Sequence, residues 1–545
     1  MSSSYAVKAS AGPRYNPTRR VGSLSIPARL YPPDPLAPPL PHPSGLTNTI
    51  DAFQAFLPAA PANHLLVDAP RPLQRLANSP DWERASGRRT RHHVEFGRIP
   101  VLTAAGKQKG SIHYTAYTTG ERAGGLGRPV TFCFGGGPGA SSIFLQLGGV
   151  GPAIVQVDST GGGSLFENYY QSLLLWTDLI FIDPPATGYS SKEPESYGYL
   201  QDLHLFADFI QAYLASQGYR PGLFPVNLLG ASYGGLRAAG LAHWLLGSVE
   251  LSNLFLFSPA LDYSTFLASP GNEKPYLRFL PTFAATAHFH RKLPPRSQDR
   301  PLEALLDEAT QFAVDAGEYE RLLKKYPATI DPNNLSPADA QELADLETKL
   351  WQLTGIPPSV VRTGGWRISN QFFSKFHLLA QLDGRVPFKP GEDASSKIDP
   401  YWDAVASLFS AQAPRHFFHQ FANRHSIDHD GALFGMGRNE WEGYVAVEPR
   451  AEWDWTPFSS IDHADGLDFL AEAMERNPKL QIHAWGGLYD LNTPYSGIDL
   501  ALNRLPSELH ARTSFRAIKS SHAPYLDKDR WEGIAARIGR ALSGW

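Results

Sequence analysis

One short segment places a serine among the small residues that a reactive serine needs around it. Residues 226–229 form an apolar run typical of a buried strand, residues 230–234 read Gly-Ala-Ser-Tyr-Gly, and a helix-compatible segment follows. This G-x-S-x-G pattern between a strand and a helix is typical of a nucleophile elbow, whose turn is too tight for larger side chains beside the serine. We therefore expect Ser232 to act as a nucleophile in acyl chemistry.

A serine hydroxyl is a weak nucleophile, so a base and an orienting acid must be found elsewhere. With this type of elbow the acid and then the histidine follow the serine along the chain. The strand-like run 480–485 leads into a loop that ends at Asp490, and only His510 and His522 come later. His522 lies between a strand-like run and a C-terminal helix, whereas His510 lies in a segment typical of an exposed turn or helix. We expect Asp490 and His522 to complete a triad with Ser232.

A glycine-rich loop offers donors for an oxyanion. The apolar run 130–134 ends in residues 135–140, Gly-Gly-Gly-Pro-Gly-Ala. Acyl transfer uses two backbone N–H donors, which we expect from Gly137 in this loop and from Tyr233, the residue after the nucleophile. The loop also fits a loose dinucleotide-binding pattern, but Pro138 lacks the N–H that a pyrophosphate would use, and no Lys-Ser or Lys-Thr pair follows.

The order of the predicted elements gives the fold class. Short apolar runs ending in Gly, Pro or Asp alternate with helix-length segments, which predicts a parallel sheet with crossover helices. The runs are residues 130–134, 179–182, 226–229, 254–257 and 480–485. A β-hairpin over residues 94–102 and 112–117, with a turn at 106–110, precedes them. With the elbow, this order predicts an α/β protein of the α/β-hydrolase fold, with a mostly parallel central sheet and flanking helices.

The chain between the two halves of this sheet has helical spacing. Ser336 and Gly355 occupy the positions of an N-cap and a C-cap, and leucines recur between them at intervals of three and four residues. A second helix is predicted from Leu302 to Phe312. We therefore predict a largely helical cap insertion. The predicted organisation is a Pro-rich N-terminal extension at 1–90, the first part of the core at 91–263, the cap insertion at 264–455 and the second part of the core at 456–545.

Composition argues against several classes of function. The net charge of −4 comes from 49 basic and 53 acidic residues that are mixed along the chain, so no basic surface for nucleic acid or an anionic membrane is expected. The single cysteine, Cys133, allows no internal disulfide and no multi-cysteine metal site. No secretory signal or membrane-spanning run is evident. We expect a cytoplasmic enzyme without cofactor or metal, acting on a peptide or small acyl substrate; its oligomeric state is open.

These motifs resemble the serine carboxypeptidase family, in particular its bacterial branch without disulfides. The resemblance runs from about residue 93 to residue 545 and includes the hairpin, the glycine-rich loop, the elbow and the segments around Asp490 and His522. Within the predicted cap, residues 381–385, Gln-Leu-Asp-Gly-Arg, and the Asp399-Pro400 pair are also similar to that branch. The resemblance implies a carboxypeptidase-like hydrolase that works through an acyl-enzyme on Ser232.

Two positions depart from the family's pattern. The family typically has Glu before the nucleophile and Asn at the first position of the oxyanion loop, and these side chains bind the substrate's free carboxylate. Here the positions are Ala231 and Gly135, which with Gly136 are the expected substrate-binding residues. A hydrogen bond to a charged group contributes about 1.5 to 3 kcal/mol, so a chain without both side chains loses much of the family's selectivity for a free carboxylate. The sequence therefore leaves the substrate class open. An acyltransferase, esterase or cyclase with the same triad is one alternative, and a catalytically silent binding protein is another.

Overall fold

The structure is a computed structural model, and it describes most of the chain from residue 92 onward. The described residues are 64–65, 92–102, 108–119, 127–157, 163–168, 171–191, 197–315, 317–328, 330–331, 334–391, 399–421, 444–447 and 453–544. The predicted Pro-rich extension therefore lies outside the described residues, apart from His64 and Leu65. The hairpin turn predicted at residues 106–110 lies partly outside them.

The strands of the described residues belong to one large sheet and two small ones. They are β1 (His64–Leu65), β2 (His92–Leu102), β3 (Gln108–Thr118), β4 (Val130–Phe134), β5 (Ala153–Val157), β6 (Gly163–Glu167), β7 (Asp178–Ile182), β8 (Tyr197–Gly198), β9 (Val226–Ala231), β10 (Leu251–Phe257), β11 (Trp453–Asp454), β12 (Gln481–Gly487) and β13 (Thr513–Ile518). The large sheet has the order β1-β2-β3-β7-β4-β9-β10-β12-β13, while β5 pairs with β6 and β8 with β11.

The large sheet has an antiparallel edge and a parallel body. Strands β2 and β3 form the predicted hairpin, and β3 pairs antiparallel with β7. Strands β7, β4, β9, β10, β12 and β13 run parallel to one another. The predicted parallel sheet is therefore confirmed, and its order brings the carboxyl ends of β4, β9, β12 and β13 to the same edge.

The helices of the described residues surround this sheet and build the insertion. They are α1 (Ile143–Leu145), α2 (Tyr199–Ser216), α3 (Tyr233–Trp244), α4 (Lys274–Phe289), α5 (Pro295–Gln298), α6 (Leu302–Thr310), α7 (Glu318–Lys325), α8 (Pro337–Thr354), α9 (Pro358–Thr363), α10 (Asn370–His377), α11 (Pro400–Phe421), α12 (Leu467–Arg476), α13 (Tyr495–Asn503) and α14 (Lys528–Ser543). Across the described ranges, no helix has the length and apolar character needed to cross a membrane.

Both faces of the sheet are buried. Successive side chains of a strand point to opposite faces, so neighbouring residues belong to different cores. Phe132 and Leu228 belong to a core shared with α2, α3 and α12. Their neighbours Cys133 and Leu229 belong to a second core, shared with α11 and α14. Continuous apolar strands of this kind are typical of a parallel sheet covered by helices on both sides.

The insertion has a hydrophobic core of its own, built mainly from α4 and α6 to α10. Helix α8 has the predicted caps: the Ser336 side chain accepts a hydrogen bond from the Asp339 N–H, and Gly355 adopts the left-handed conformation with φ 72°. Helix α11 lies within the predicted cap range but packs on the sheet side, where Trp402 contacts Phe144 with ring centroids 4.4 Å apart.

Candidate active site

Ser232 lies in the turn between β9 and α3, in a backbone conformation that few non-glycine residues adopt. Its φ and ψ are 58° and −124°, a conformation that costs on the order of 1 to 3 kcal/mol. Hydrogen bonds on both sides hold it: the Ser232 N–H donates to Phe257 O at 2.9 Å, and the Gly235 and Ala260 N–H groups donate to Ser232 O at 2.8 and 3.0 Å. The predicted strand-turn-helix context of the elbow is confirmed.

The glycines of the elbow are required by close backbone contacts. A Cβ atom on Gly230 would lie 2.3 Å from the Gly234 carbonyl oxygen, and one on Gly234 would lie 2.9 Å from the Gly135 carbonyl oxygen. Real Cβ atoms do not approach backbone oxygens this closely. The spacing of the motif therefore follows from the packing of the elbow on itself and on the glycine-rich loop.

Asp490 and His522 lie at the ends of neighbouring strands and contact each other directly. Asp490 follows β12 and His522 follows β13, and His522 Nδ1 is 2.8 Å from Asp490 Oδ2. An ionised carboxylate only accepts hydrogen bonds, so Nδ1 carries the proton and Nε2 is left as the basic nitrogen. Asp490 Oδ1 also accepts from the N–H groups of Asn492 and Thr493, at 2.8 and 2.9 Å.

The hydroxyl of Thr493 is a further contact of this pair that sequence reasoning missed. Thr493 Oγ1 is 2.7 Å from Asp490 Oδ2 and 3.0 Å from His522 Nδ1. It also lies 3.2 Å from the carbonyl oxygen of Ser258, which follows β10. A single buried side chain thus connects the acid, the histidine and the strand between the elbow and Asp490.

The three residues predicted as a triad share one edge of the sheet, and His510 lies apart from them. No hydrogen bond joins Ser232 Oγ to His522 Nε2 among the contacts of the described residues, and such bonds often tighten only when substrate is bound. His510 lies in a short 3₁₀ helix and its Nε2 contacts the Leu505 carbonyl oxygen at 2.9 Å. The structure therefore brings His522, and not His510, to Asp490.

The glycine-rich loop packs directly on the elbow. A Cβ atom on Gly136 would lie 2.7 Å from Ser232 Cβ and 3.1 Å from Tyr233 N, and Gly137 has φ 105°. Within the described residues, neither the Gly137 N–H nor the Tyr233 N–H donates to a backbone carbonyl outside regular helices and strands. Both predicted oxyanion donors therefore belong to segments that meet beside Ser232.

The two positions where the family typically carries carboxylate-binding side chains are tightly enclosed. A Cβ atom on Gly135 would lie 2.7 Å from the Ser141 carbonyl oxygen, so a side chain at this position would require the loop to shift. The Ala231 side chain is buried, with 4% exposure. The residues predicted to bind substrate therefore offer only backbone atoms and one methyl group.

A fully buried ion pair between Arg237 and Asp202 contacts both the elbow and the glycine-rich loop. Arg237 Nε and Nη2 donate to the two carboxylate oxygens of Asp202 at 2.6 and 3.0 Å, and Tyr233 Oη donates to Asp202 at 2.8 Å. Arg237 Nη1 donates to the Gly135 carbonyl oxygen at 2.8 Å. Burial and the adjacent Asp202 raise the pKa of Tyr233. The sequence signal for this cluster is an arginine among the small and apolar residues that follow the elbow.

A second buried carboxyl, Asp183, anchors the far end of the glycine-rich loop. Its Oδ1 accepts from the Ser142 N–H at 2.9 Å and from Ser142 Oγ at 2.8 Å, and Tyr444 Oη donates to Oδ2 at 3.2 Å. Burial raises the pKa of Asp183 to about 6. Gly188 is needed beside it, because a Cβ atom there would overlap Asp183 Oδ2.

Comparison with known proteins relates the chain to one family. The model of the serine carboxypeptidase family matches residues 101–254, which include the second strand of the hairpin, the glycine-rich loop and the elbow. A search of curated protein sequences found no match. Among solved structures, the prohormone-processing carboxypeptidase Kex1 from Saccharomyces cerevisiae has 17% identity and a TM-score of 0.47, over 85% of this chain and 93% of that chain.

Two further structures are similar to this chain. Proline iminopeptidase from Mycobacterium smegmatis has 14% identity and a TM-score of 0.34, over 80% of this chain and 95% of that one. Homoserine O-acetyltransferase from Staphylococcus aureus has 10% identity and a TM-score of 0.32, over 82% and 95%. The family match over residues 101–254 indicates a serine hydrolase, and over this range the chain is similar to the serine carboxypeptidase family.

Proposed function

We propose that this serine hydrolase cleaves a peptide or a related acyl bond through an acyl-enzyme on Ser232. The observation that carries the proposal is the 2.8 Å contact between His522 Nδ1 and Asp490 Oδ2 at the edge of the sheet that also bears the strained Ser232 turn. This contact holds the imidazole in one tautomer and leaves Nε2 to exchange protons with the serine hydroxyl and the leaving group.

In the first half-reaction, Ser232 Oγ attacks the acyl carbon and its proton passes to His522 Nε2. The imidazolium is stabilised by Asp490, which stays ionised, and its proton then goes to the leaving amine or alcohol. In the second half-reaction, an acceptor attacks the Ser232 ester and His522 takes the acceptor's proton; the bond between the acyl carbon and Ser232 Oγ then breaks, and His522 returns the proton to Oγ. The Gly137 and Tyr233 N–H groups are the proposed oxyanion donors, and each such donor typically accounts for on the order of 10²- to 10³-fold in rate.

The glycine-rich loop and Ala231 support a second candidate function, an acyltransferase or esterase. A carboxypeptidase must recognise a free carboxylate, but Gly135 and Ala231 have no side chain that could donate to it, and the space at position 135 is filled by the Ser141 carbonyl. Substrates without a free carboxylate would meet no penalty here. We therefore propose that selectivity for a free C-terminus is weak.

Matched peptides test both candidates. We expect kcat/KM values within about fivefold for one peptide with a free, an amidated and a methyl-esterified C-terminus. An added amine nucleophile partitions the products between hydrolysis and transfer, and predominant transfer would favour the acyltransferase. A strict requirement for the free carboxylate would overturn the proposed weak selectivity, and no turnover of any acyl substrate would overturn the proposed hydrolysis.

A further inference from the structure

One segment of the helical insertion contacts both loops that carry the proposed acid and base. Residues 381–385, which we name the QLDGR segment, follow α10. The Leu382 carbonyl oxygen accepts from the His522 N–H at 2.8 Å, and the Gln381 carbonyl oxygen accepts from the Leu491 N–H at 2.9 Å. These two backbone hydrogen bonds join the segment to His522 itself and to the residue after Asp490.

A third backbone bond completes the contact with the loop of the acid. The Gly384 N–H donates to the Tyr489 carbonyl oxygen at 2.8 Å, so the residues before and after Asp490 are both bound to the segment. The Leu491 side chain is fully buried in the hydrophobic core of the insertion. The loop of the acid therefore packs against the insertion as much as against the sheet.

The segment is itself held by buried charges. Asp399, at the start of α11, accepts from the Leu382 N–H at 2.6 Å and from the Trp402 N–H at 2.9 Å. Asp383 accepts from Arg385 Nε and Nη2 at 2.9 and 2.8 Å, and both aspartates are buried. These bonds fix the conformation in which the segment's carbonyl groups point at the catalytic loops.

Arg385 also connects the segment to the chain on the other side of His522. Arg385 Nη1 donates to Asp527 Oδ2 at 3.0 Å, and the same oxygen accepts from Ser520 Oγ at 3.0 Å. His522 is therefore bracketed by a bond from its own N–H to Leu382 and by a charged connection through Asp527. Planar guanidinium groups suit this role because they bind two carboxylates in fixed directions.

We propose that the QLDGR segment sets the geometry of the Asp490–His522 pair, and that Arg385 is a positioning residue for His522. The inference rests on the proposed function, because it assigns Arg385 a role through that triad. Displacements of about 1 Å in a catalytic group lower rates by up to on the order of 10²-fold.

Removing the guanidinium of Arg385, with or without keeping a positive charge, tests this role. We compare three variants with wild type: Arg385→Met, Arg385→Lys and the control Arg362→Met. The measured constants are kinact and KI with a fluorophosphonate, and kcat and KM with a p-nitrophenyl ester. Arg362 is a matched control, because it also binds a buried carboxylate of the insertion with two nitrogens, at 2.8 and 2.7 Å from Glu347. Neither Arg362 nor Glu347 contacts the loops of Asp490 and His522 through the hydrogen bonds given for the described residues.

For Arg385→Met we expect kinact and kcat to fall roughly 10- to 100-fold, with KI and KM within about twofold of wild type. Arg385→Lys should recover part of the rate, and Arg362→Met should keep it within about twofold. Equal rates for Arg385→Met and wild type, or equal losses in the Arg385 and Arg362 variants, would overturn the inference.

A second variant covers the case in which Arg385→Met does not fold. Asp527→Asn removes the charged connection to the His522 side and leaves the Asp383–Arg385 pair in place, and the same loss of kinact is expected. Wild-type rates in this variant would also overturn the inference. An unlabelled wild type would instead contradict the proposed function, so the two failures are distinguishable.

Discussion

The buried pair of Asp202 and Arg237 gives a quantitative prediction about the support beneath the elbow. Both side chains have no solvent exposure, and removing one partner of such a pair leaves an uncompensated charge in the interior. That typically costs about 3 to 5 kcal/mol. We therefore expect Asp202→Asn and Arg237→Met each to lower the free energy of unfolding by about this amount.

The double variant should be more stable than the sum of the two losses implies. With both charges gone, the asparagine at position 202 can still accept the hydrogen bond from Tyr233 Oη, and the Gly135 carbonyl is left without its 2.8 Å donor. One buried unpaired carbonyl costs about 1 to 3 kcal/mol. The two single losses should therefore exceed the double loss by roughly 3 kcal/mol or more.

Urea denaturation of wild type, both single variants and the double variant measures this coupling. Circular dichroism and tryptophan fluorescence should give the same midpoints, since the calculation assumes a two-state transition. Additive losses, with a coupling below about 0.5 kcal/mol, would show that the pair is not energetically connected and that its close geometry has no consequence for stability.

Substitutions at three other residues, with their controls, probe the site. Thr493→Val should lower the fluorophosphonate labelling rate roughly 10- to 100-fold, since a hydrogen bond to a carboxylate contributes about 1.5 to 3 kcal/mol. Thr493→Ser keeps the hydroxyl and should label within about threefold of wild type. Equal rates for Thr493→Val and wild type would contradict the role of the hydroxyl. Burial raises the folded-state pKa of Asp183 from 3.8 to about 6, so the wild type loses stability as pH rises through this window and Asp183 ionises. Between pH 4 and 7, the difference in free energy of unfolding between Asp183→Asn and wild type should change in favour of the variant by up to about 3 kcal/mol. A difference that does not depend on pH would contradict this. Gly135→Ala should lower the labelling rate at least about tenfold, because its Cβ would lie 2.7 Å from Ser141 O. The control Gly533→Ala has open space around its Cβ and should label at the wild-type rate. Equal rates for the two variants would contradict the close packing at Gly135.

The elbow and the sheet could be predicted because their signals are local. The G-x-S-x-G pattern lies within five consecutive residues, and the apolar runs of a doubly covered parallel sheet are continuous in sequence. Asp490 and His522 could be found because few aspartates and histidines follow the last strands. The caps of α8 were predictable for the same reason, since Ser336 and Gly355 act on their own helix.

Contacts between distant segments could not be predicted in this way. Nothing near Arg237 indicates that its partner is Asp202, and nothing in the QLDGR segment indicates that it binds the chain at His522. An amphipathic pattern shows that a helix buries one face but does not identify what covers it, so the predicted cap range includes α11 although that helix packs beside Phe144. The hydroxyl of Thr493 has no motif of its own.

The central claim is that Ser232 is a nucleophile activated by His522. A fluorophosphonate followed by intact-mass and peptide mass spectrometry tests it most directly, on wild type and on the Ser232→Ala, His522→Ala and His510→Ala variants. We expect one adduct, located on Ser232, that is absent from Ser232→Ala, forms at least about 10³-fold more slowly in His522→Ala, and forms at the wild-type rate in His510→Ala. An adduct on another residue, or undiminished labelling of His522→Ala, would contradict it.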